Sequence, residues 1–179
     1  MIKGRVKYQG IGDIMAMVLS IEIDDKNIKI IEASKKGEIL SVSRCMSMDV
    51  GYGVKDGKIT DMGRIANLIS EEFKKNGIKA KKAVFVINSS SIMIRTIKLP
   101  LLKKGSEILS MIQIELQQTM SADLNKYKIL FEISEVINES KISYAVYIVY
   151  CVPVILVNQY IELAENLKLK LVKIDILIN

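Results

Sequence analysis

Apolar residues come in short bursts along this chain, and their spacing alternates between the two-residue repeat of a strand and the three-to-four repeat of a helix. Met17 to Ile23 and Asn27 to Ala33 are β-rich runs parted by Asp24-Asp25-Lys26, residues with turn chemistry. A third run, Glu38 to Met46, follows a Lys36-Gly37 turn, so three antiparallel strands in succession are predicted. Gly51 to Gly57, GYGVKDG, reads as a loop. Asp61 stands where a helix cap is needed, Met62, Ile65, Ala66, Ile69 and Phe73 recur at helical spacing, and Gly77 marks the stop.

Ala83 to Asn88 is a continuous apolar run suited to a strand buried on both faces. It breaks at Ser89, Ser90 and Ser91, and Ile92 to Leu99 forms the next strand, with Arg95 and Lys98 interrupting its apolar character on one side. After Lys103-Lys104, Ser106 can cap a helix that buries Ile108, Met111, Ile112, Leu116 and Met120 and carries Glu115 on the border of that stripe. Tyr127 to Val136 and Ile142 to Val152 form a hairpin through Asn138-Glu139-Ser140-Lys141, its second strand apolar on both faces and therefore central. Pro153 suits the first turn of a helix reaching about Leu167, and Lys170 to Ile178 is a last strand. A strand at the chain's end implies a neighbour outside the sequence. The segment from Lys82 to Gln118, which leaves one layer and at once starts another, implies a small subdomain inserted into a larger α/β domain, and such insertions commonly make contacts with partners.

Composition narrows the chemistry. At 179 residues, half of them hydrophobic, the chain can build one ample domain or two small ones. The complete lack of histidine excludes Ser-His-Asp chemistry, the usual zinc ligand sets and the commonest general base, and no metal site is expected. Cys45 and Cys151 lie far apart without a C-x-x-C partner, which fits a reducing compartment. The net charge of +6 comes from lysines at 74, 75, 79, 81, 82, 103, 104, 168, 170 and 173. They are dispersed along the sequence and not interleaved with aromatics, so a solvated surface is preferred over a nucleic-acid or membrane patch. The glycines of Gly51 to Gly57 do not make a dinucleotide fingerprint, because no strand leads into a helix there. Lys3, Arg5 and Lys7 precede an apolar run from Ile14 to Ile21 that continues into strand alternation and is read as strand, not signal peptide. No run approaches the roughly 18 apolar residues of a membrane span.

The order of these elements, with LSIEIDDKNIKIIEAS, the D-G-x-I-x-D of Asp56, Gly57, Ile59 and Asp61, the run from Val84 to Pro100, the helix bearing Glu107 and Glu115, and the closing Lys173 to Ile176, resembles the PilM family of pilus assembly proteins within the FtsA/actin-like superfamily. The resemblance implies an α/β, actin-like (ribonuclease H-like) half-domain, subdomain 1A, over residues 1–89 and 153–179. An inserted βαββ, SHS2-like subdomain 1C would span residues 90–152. The family continues into a second half, so the chain is expected to be a truncated form or a fragment.

The resemblance further implies a cytoplasmic scaffold at the inner face of the membrane, not an enzyme. A groove between 1A and 1C would receive the N-terminal peptide of an inner-membrane PilN-like partner through Arg95, Leu99, Pro100, Ile112, Glu115, Leu116 and Met120. Leu99, Ile112, Leu116 and Met120 have a plainer alternative as core, since apolar residues at helical spacing pack inward. Relatives carry tyrosine-isoleucine-proline-phenylalanine after the helix, where this chain has Thr119-Met120-Ser121-Ala122. The pilus ATPase is a further implied partner; no nucleic acid is expected, and a membrane only through partners. In relatives a D-x-G-S-S-S turn wraps phosphate; here Asp24, Asp25, Lys26 and Asn27 occupy it and put carboxylates where phosphate oxygens belong. Neither ATP nor magnesium is therefore expected as a cofactor. The alternatives are an actin-like ATPase, an FtsA-like filament protein and a type II secretion platform protein.

Overall fold

A computed structural model describes residues 17–120, 123–138 and 142–177. The chain divides into two compact units, Ser91–Val154 and a second made of residues 17–90 with 155–177.

The larger unit is built on a five-stranded sheet. Strand β1 (Val18–Ile23) runs antiparallel to β2 (Asn27–Lys36), which runs antiparallel to β3 (Ile39–Asp49). On its other side β1 is parallel to β6 (Lys82–Ile87), and β6 is parallel to β10 (Lys170–Ile176), giving the order β10-β6-β1-β2-β3. An antiparallel meander extended by two parallel strands is the sheet expected of the actin-like half-domain. The three predicted strands are all present, and the β2–β3 ladder runs further than expected, with a bulge beside Glu32 and Ala33.

One face of this sheet is fully buried: Leu19, Ile21 and Ile23, Ile28 and Ile30, Ala83, Phe85 and Ile87. Its cover comes from α1 (Met62–Lys75) and α3 (Val154–Asn166), whose buried stripes are Ile65, Ala66 and Ile69, and Leu156, Tyr160, Leu163 and Ala164. Each such aliphatic side chain contributes about 1.5–3 kcal/mol when removed from water. Asp61 caps α1 as the sequence predicts, accepting from the Arg64 amide at 3.0 Å. Contrary to expectation, β6 is fully buried on one face only, Val84 and Val86 on the other being half-buried. Between β3 and α1 the loop expected over Gly51 to Gly57 forms the first strand and the turn of a miniature hairpin, β4 (Val54–Lys55) and β5 (Lys58–Ile59), turned by Asp56 and Gly57.

The Ser91–Val154 unit is a three-stranded antiparallel sheet in the order β7 (Met93–Pro100), β9 (Ser143–Pro153), β8 (Tyr127–Asn138), with α2 (Gly105–Thr119) on one face and a short 3-10 turn, Leu124–Lys126, before β8. Strand β9 is central, as its two apolar faces require. Ile108, Ile112 and Leu116 of α2 pack with Leu99, Ala145, Tyr147, Val149 and Cys151, and Phe131 meets Tyr147 edge-on at 5.9 Å.

Three local expectations need correction. Ser106 lies within the first turn of α2, whose cap position is Lys104 without a side-chain bond. Pro153 ends β9 instead of opening α3. Arg95 and Lys98 do not interrupt one side of β7, because residues three apart on a strand point to opposite faces. The Asn138–Lys141 turn falls partly, and residues 1–16 and Ile178 fall wholly, outside the described residues.

Candidate functional site

The β1–β2 turn is where a phosphate would approach an actin-like half-domain, at the carboxyl ends of the parallel strands. Here the turn is occupied by its own side chain. Asp24 Oδ1 accepts the amide N–H groups of Lys26 at 2.8 Å and Asn27 at 2.7 Å, while the Asp24 amide donates to the Asn27 carbonyl at 3.0 Å. These are the donors an anion would need, and a carboxylate already holds them. Burial pushes the Asp24 carboxyl up, but the two amides and the Lys29 ammonium outweigh it and hold the group below the ordinary Asp value. Lys29 itself bonds Glu22 at 3.0 Å and stands 3.6 Å from Asp24, and its hydrogen bond to Glu22 raises its own pKa. Among the candidate nucleotide residues Asp24, Asp25, Lys26 and Asn27, the structure therefore brings together a closed, self-capped turn.

The Asp56-Gly57 hairpin reinforces that closure. The Gly57 amide donates to Asp25 Oδ1 at 3.3 Å, and the Gly57 carbonyl accepts from the buried Tyr160 hydroxyl at 2.9 Å. Asp56 accepts from the Ser90 amide at 2.7 Å and from the Ser90 and Ser89 hydroxyls at 2.8 and 3.2 Å. The amide bond from Ser90 is the chief reason its carboxyl lies below the ordinary range. Gln159 brackets Ile59, donating to its carbonyl at 2.8 Å and accepting its amide at 3.3 Å. Tyr160 also meets Phe85 edge-on at 5.5 Å, and burial drives its hydroxyl pKa far up. Both Asp56 and Gly57 have positive φ, 52° and 68°, the conformation of a two-residue hairpin turn. The signal lay in the sequence: Asp-Gly is the strongest short-range hairpin dipeptide, yet its linkage to Ser89, Ser90 and Tyr160 spans 33 to 103 residues.

The candidate peptide-binding residues lie in the Ser91–Val154 unit, and the structure separates them into two groups. Leu99, Ile112 and Leu116, expected as groove lining, are at most 2 % exposed and belong to the packing between α2 and the sheet. The helical spacing that singled them out is the spacing of a buried stripe. Met120 is half-buried against the same core. Arg95, Pro100 and Glu115 reach the surface to differing degrees: Arg95 is exposed on β7, an edge strand, while Pro100 and Glu115 are half-buried. Arg95 lies on the sheet face of Val149 and Cys151, and its charge partly opposes the upward push that burial gives the Cys151 thiol.

Among the described residues no group of His, Cys, Asp or Glu could hold a metal ion, and no helix is long and apolar enough to cross a membrane. The family model described as type IV pilus assembly protein PilM matches residues 20–177. No curated protein matches. The chain is similar to a solved structure described as the PilM-PilN type IV pilus biogenesis complex, at 15 % identity and a TM-score of 0.75, over 92 % of this chain and 48 % of that one. It thus spans about half the length of that solved chain. A Bacteroides thetaiotaomicron protein of actin-like ATPase fold and unknown function has 11 % identity and a TM-score of 0.44, over 90 % of this chain and 52 % of its own. An Aquifex aeolicus member of the Ppx/GppA family has 18 % identity and a TM-score of 0.29, over 40 % and 26 %.

Proposed function

This chain belongs to the type IV pilus assembly protein PilM family, and from that membership we propose that it is a pilus-assembly scaffold that docks a PilN-like partner. In this reading the partner is a protein of the inner membrane whose cytoplasmic N-terminal peptide is bound in extended form, and the chain works at the membrane's cytoplasmic face. The unit Ser91–Val154 corresponds to the inserted subdomain 1C and the five-stranded unit to 1A. The observation that carries the proposal is the family match over residues 20–177, joined to β7, which among the described residues is an edge strand of its sheet, the kind of element to which an extended peptide adds by main-chain pairing. Arg95 and Glu115 supply the polar selectivity, and Met120 an adaptable apolar contact. Leu99, Ile112 and Leu116 support the surface from within.

The reading assigns no chemical step to the chain, and no nucleotide. The Asp24 carboxylate competes with phosphate for the amides of Lys26 and Asn27 and repels it, by about 1 kcal/mol per charge pair even in water. Titration of the chain with a synthetic peptide of the partner's N-terminus is the test. Saturable binding that Arg95→Glu and Glu115→Lys each weaken by about tenfold, with circular dichroism unchanged, is the expected outcome. No binding, or binding indifferent to both reversals, refutes the docking surface. Micromolar affinity for MgATP would refute the exclusion of nucleotide.

A further inference from the structure

The lysines that look dispersed in the sequence converge in the fold. Register places Lys170, Lys82, Val18, Ala33 and Val42 in one row across the sheet at the end remote from Asp24. Beyond that row lie Lys79 and Lys81 before β6, Lys168 before β10, and Lys35 and Lys36 at the tip of the β2–β3 hairpin. Lys81 and Lys170 are direct neighbours, the Lys170 amide bonding the Lys81 carbonyl at 2.7 Å. Lys74, at the end of α1, joins Lys79 and Lys81 around a cleft of about 370 Å³ that Leu167 and Leu169 help to line. Acidic residues at this end, Glu38, Glu71, Glu72 and Glu165, are outnumbered, and Glu72 is taken up by Lys75 and Asn76.

The hairpin tip carries Ile39, Leu40 and Val42 at 70, 66 and 59 % exposure, aliphatic groups standing in water beside Lys35 and Lys36. Moreover, Lys168 holds φ +54°, a left-handed backbone for which glycine is the default after a helix, so the lysine stands there against local preference.

We propose that this end of the five-stranded sheet is a docking surface for an anionic lipid bilayer, the lysines facing lipid phosphates while Ile39, Leu40 and Val42 enter the interfacial region. Lysine is a compact point charge that gains affinity near an anionic surface, and exposed aliphatic tips add apolar burial that a free phosphate cannot reward. Nucleic acid fits less well. Among the described residues the exposed aromatic ring is Tyr52, at the other end of the sheet, and no arginine lies beyond the row. The inference goes beyond peptide docking, because it uses the other unit and a different ligand.

Flotation of the chain with vesicles rich in phosphatidylglycerol, against vesicles of phosphatidylcholine alone, tests it. The chain floats with the anionic vesicles, less so at high salt, and not with the neutral ones. Lys79→Glu with Lys81→Glu lowers partitioning by roughly tenfold or more, whereas Lys103→Glu with Lys104→Glu, the same change of net charge on the other unit, lowers it by less than about threefold. Ile39→Ser with Leu40→Ser and Val42→Ser removes the part of binding that survives high salt. The proposal is overturned if anionic vesicles are not bound, if the two charge reversals act alike, or if duplex DNA at matched phosphate displaces the vesicles.

Discussion

The two ends of the five-stranded sheet solve the same problem, how to finish strands in water, in opposite ways. At the carboxyl ends of β1 and β6, acidic turns are tied into one another: Asp24 caps its own turn, Asp25 meets Gly57, Asp56 gathers Ser89 and Ser90, and Tyr160 reaches up to the Gly57 carbonyl. At the far end, Lys35, Lys36, Lys79, Lys81 and Lys168 are exposed and the aliphatic hairpin tip is uncovered. The first arrangement spends the hydrogen-bonding capacity of an α/β fold's usual ligand end on internal structure. The second leaves charge and apolar area available to a partner. Substitutions should therefore register as stability at one end and as binding at the other.

The sharpest contrast is between two glycines with positive φ. A Cβ on Gly57 would stand 2.2 Å from the Asn88 carbonyl oxygen, whereas a Cβ on Gly37 at the hairpin tip would meet nothing within 4 Å. Gly57→Ala should cost roughly 3 kcal/mol or more from clash and left-handed strain together. Gly37→Ala should cost only about 1 kcal/mol, from the backbone alone. Urea midpoints at constant m-value measure both, and equal losses would erase the distinction between a closed and an open end. Next in size is Tyr160→Phe, which leaves the buried Gly57 carbonyl without its 2.9 Å donor and should cost about 1–2 kcal/mol.

Much of this fold is legible in the sequence because its signals are local. The turn at Asp24, the cap at Asp61 and the apolar periodicities of β1, α1, α2 and β9 each act within a few residues. What escaped depends on contacts between distant segments. Lys81 and Lys170 become neighbours only because β6 and β10 pair in parallel, and Asp56 finds Ser90 only once the small hairpin folds over the end of β6. The peptide-site reading shows the complementary limit. Periodicity picked out Ile112 and Leu116 correctly as one face of α2, but cannot say whether that face meets a ligand or the chain's own sheet.

The closed end should also be the acid-sensitive one. Hydrogen bonding holds Asp56 and Asp24 below the ordinary carboxyl value of 3.8. Between the folded and unfolded values the unfolded chain binds more protons, so their contribution is complete above pH of about 4 and disappears as pH falls through the depressed folded values. Asp56→Asn should lower stability at neutral pH and flatten that acid limb. An acid limb unchanged in the variant would mean that the Ser90 bonds do not discriminate between the charged and neutral carboxyl.

The smallest effect is the most discriminating. Lys168 occupies a left-handed position two residues past the end of α3, where its amide donates to the Glu165 carbonyl at 2.9 Å. Glycine relieves the Cβ penalty there, and loss of a lysine near a helix carboxyl end removes a dipole interaction worth several tenths of a kcal/mol. The balance favours Lys168→Gly by about 0.5 kcal/mol, a gain readable as a small upward shift in the urea midpoint. A residue kept for stability would show the opposite sign. If the variant is at once more stable and poorer at floating with anionic vesicles, the lysine is held at that position for what it binds, and the two ends of the sheet differ in purpose as well as in chemistry.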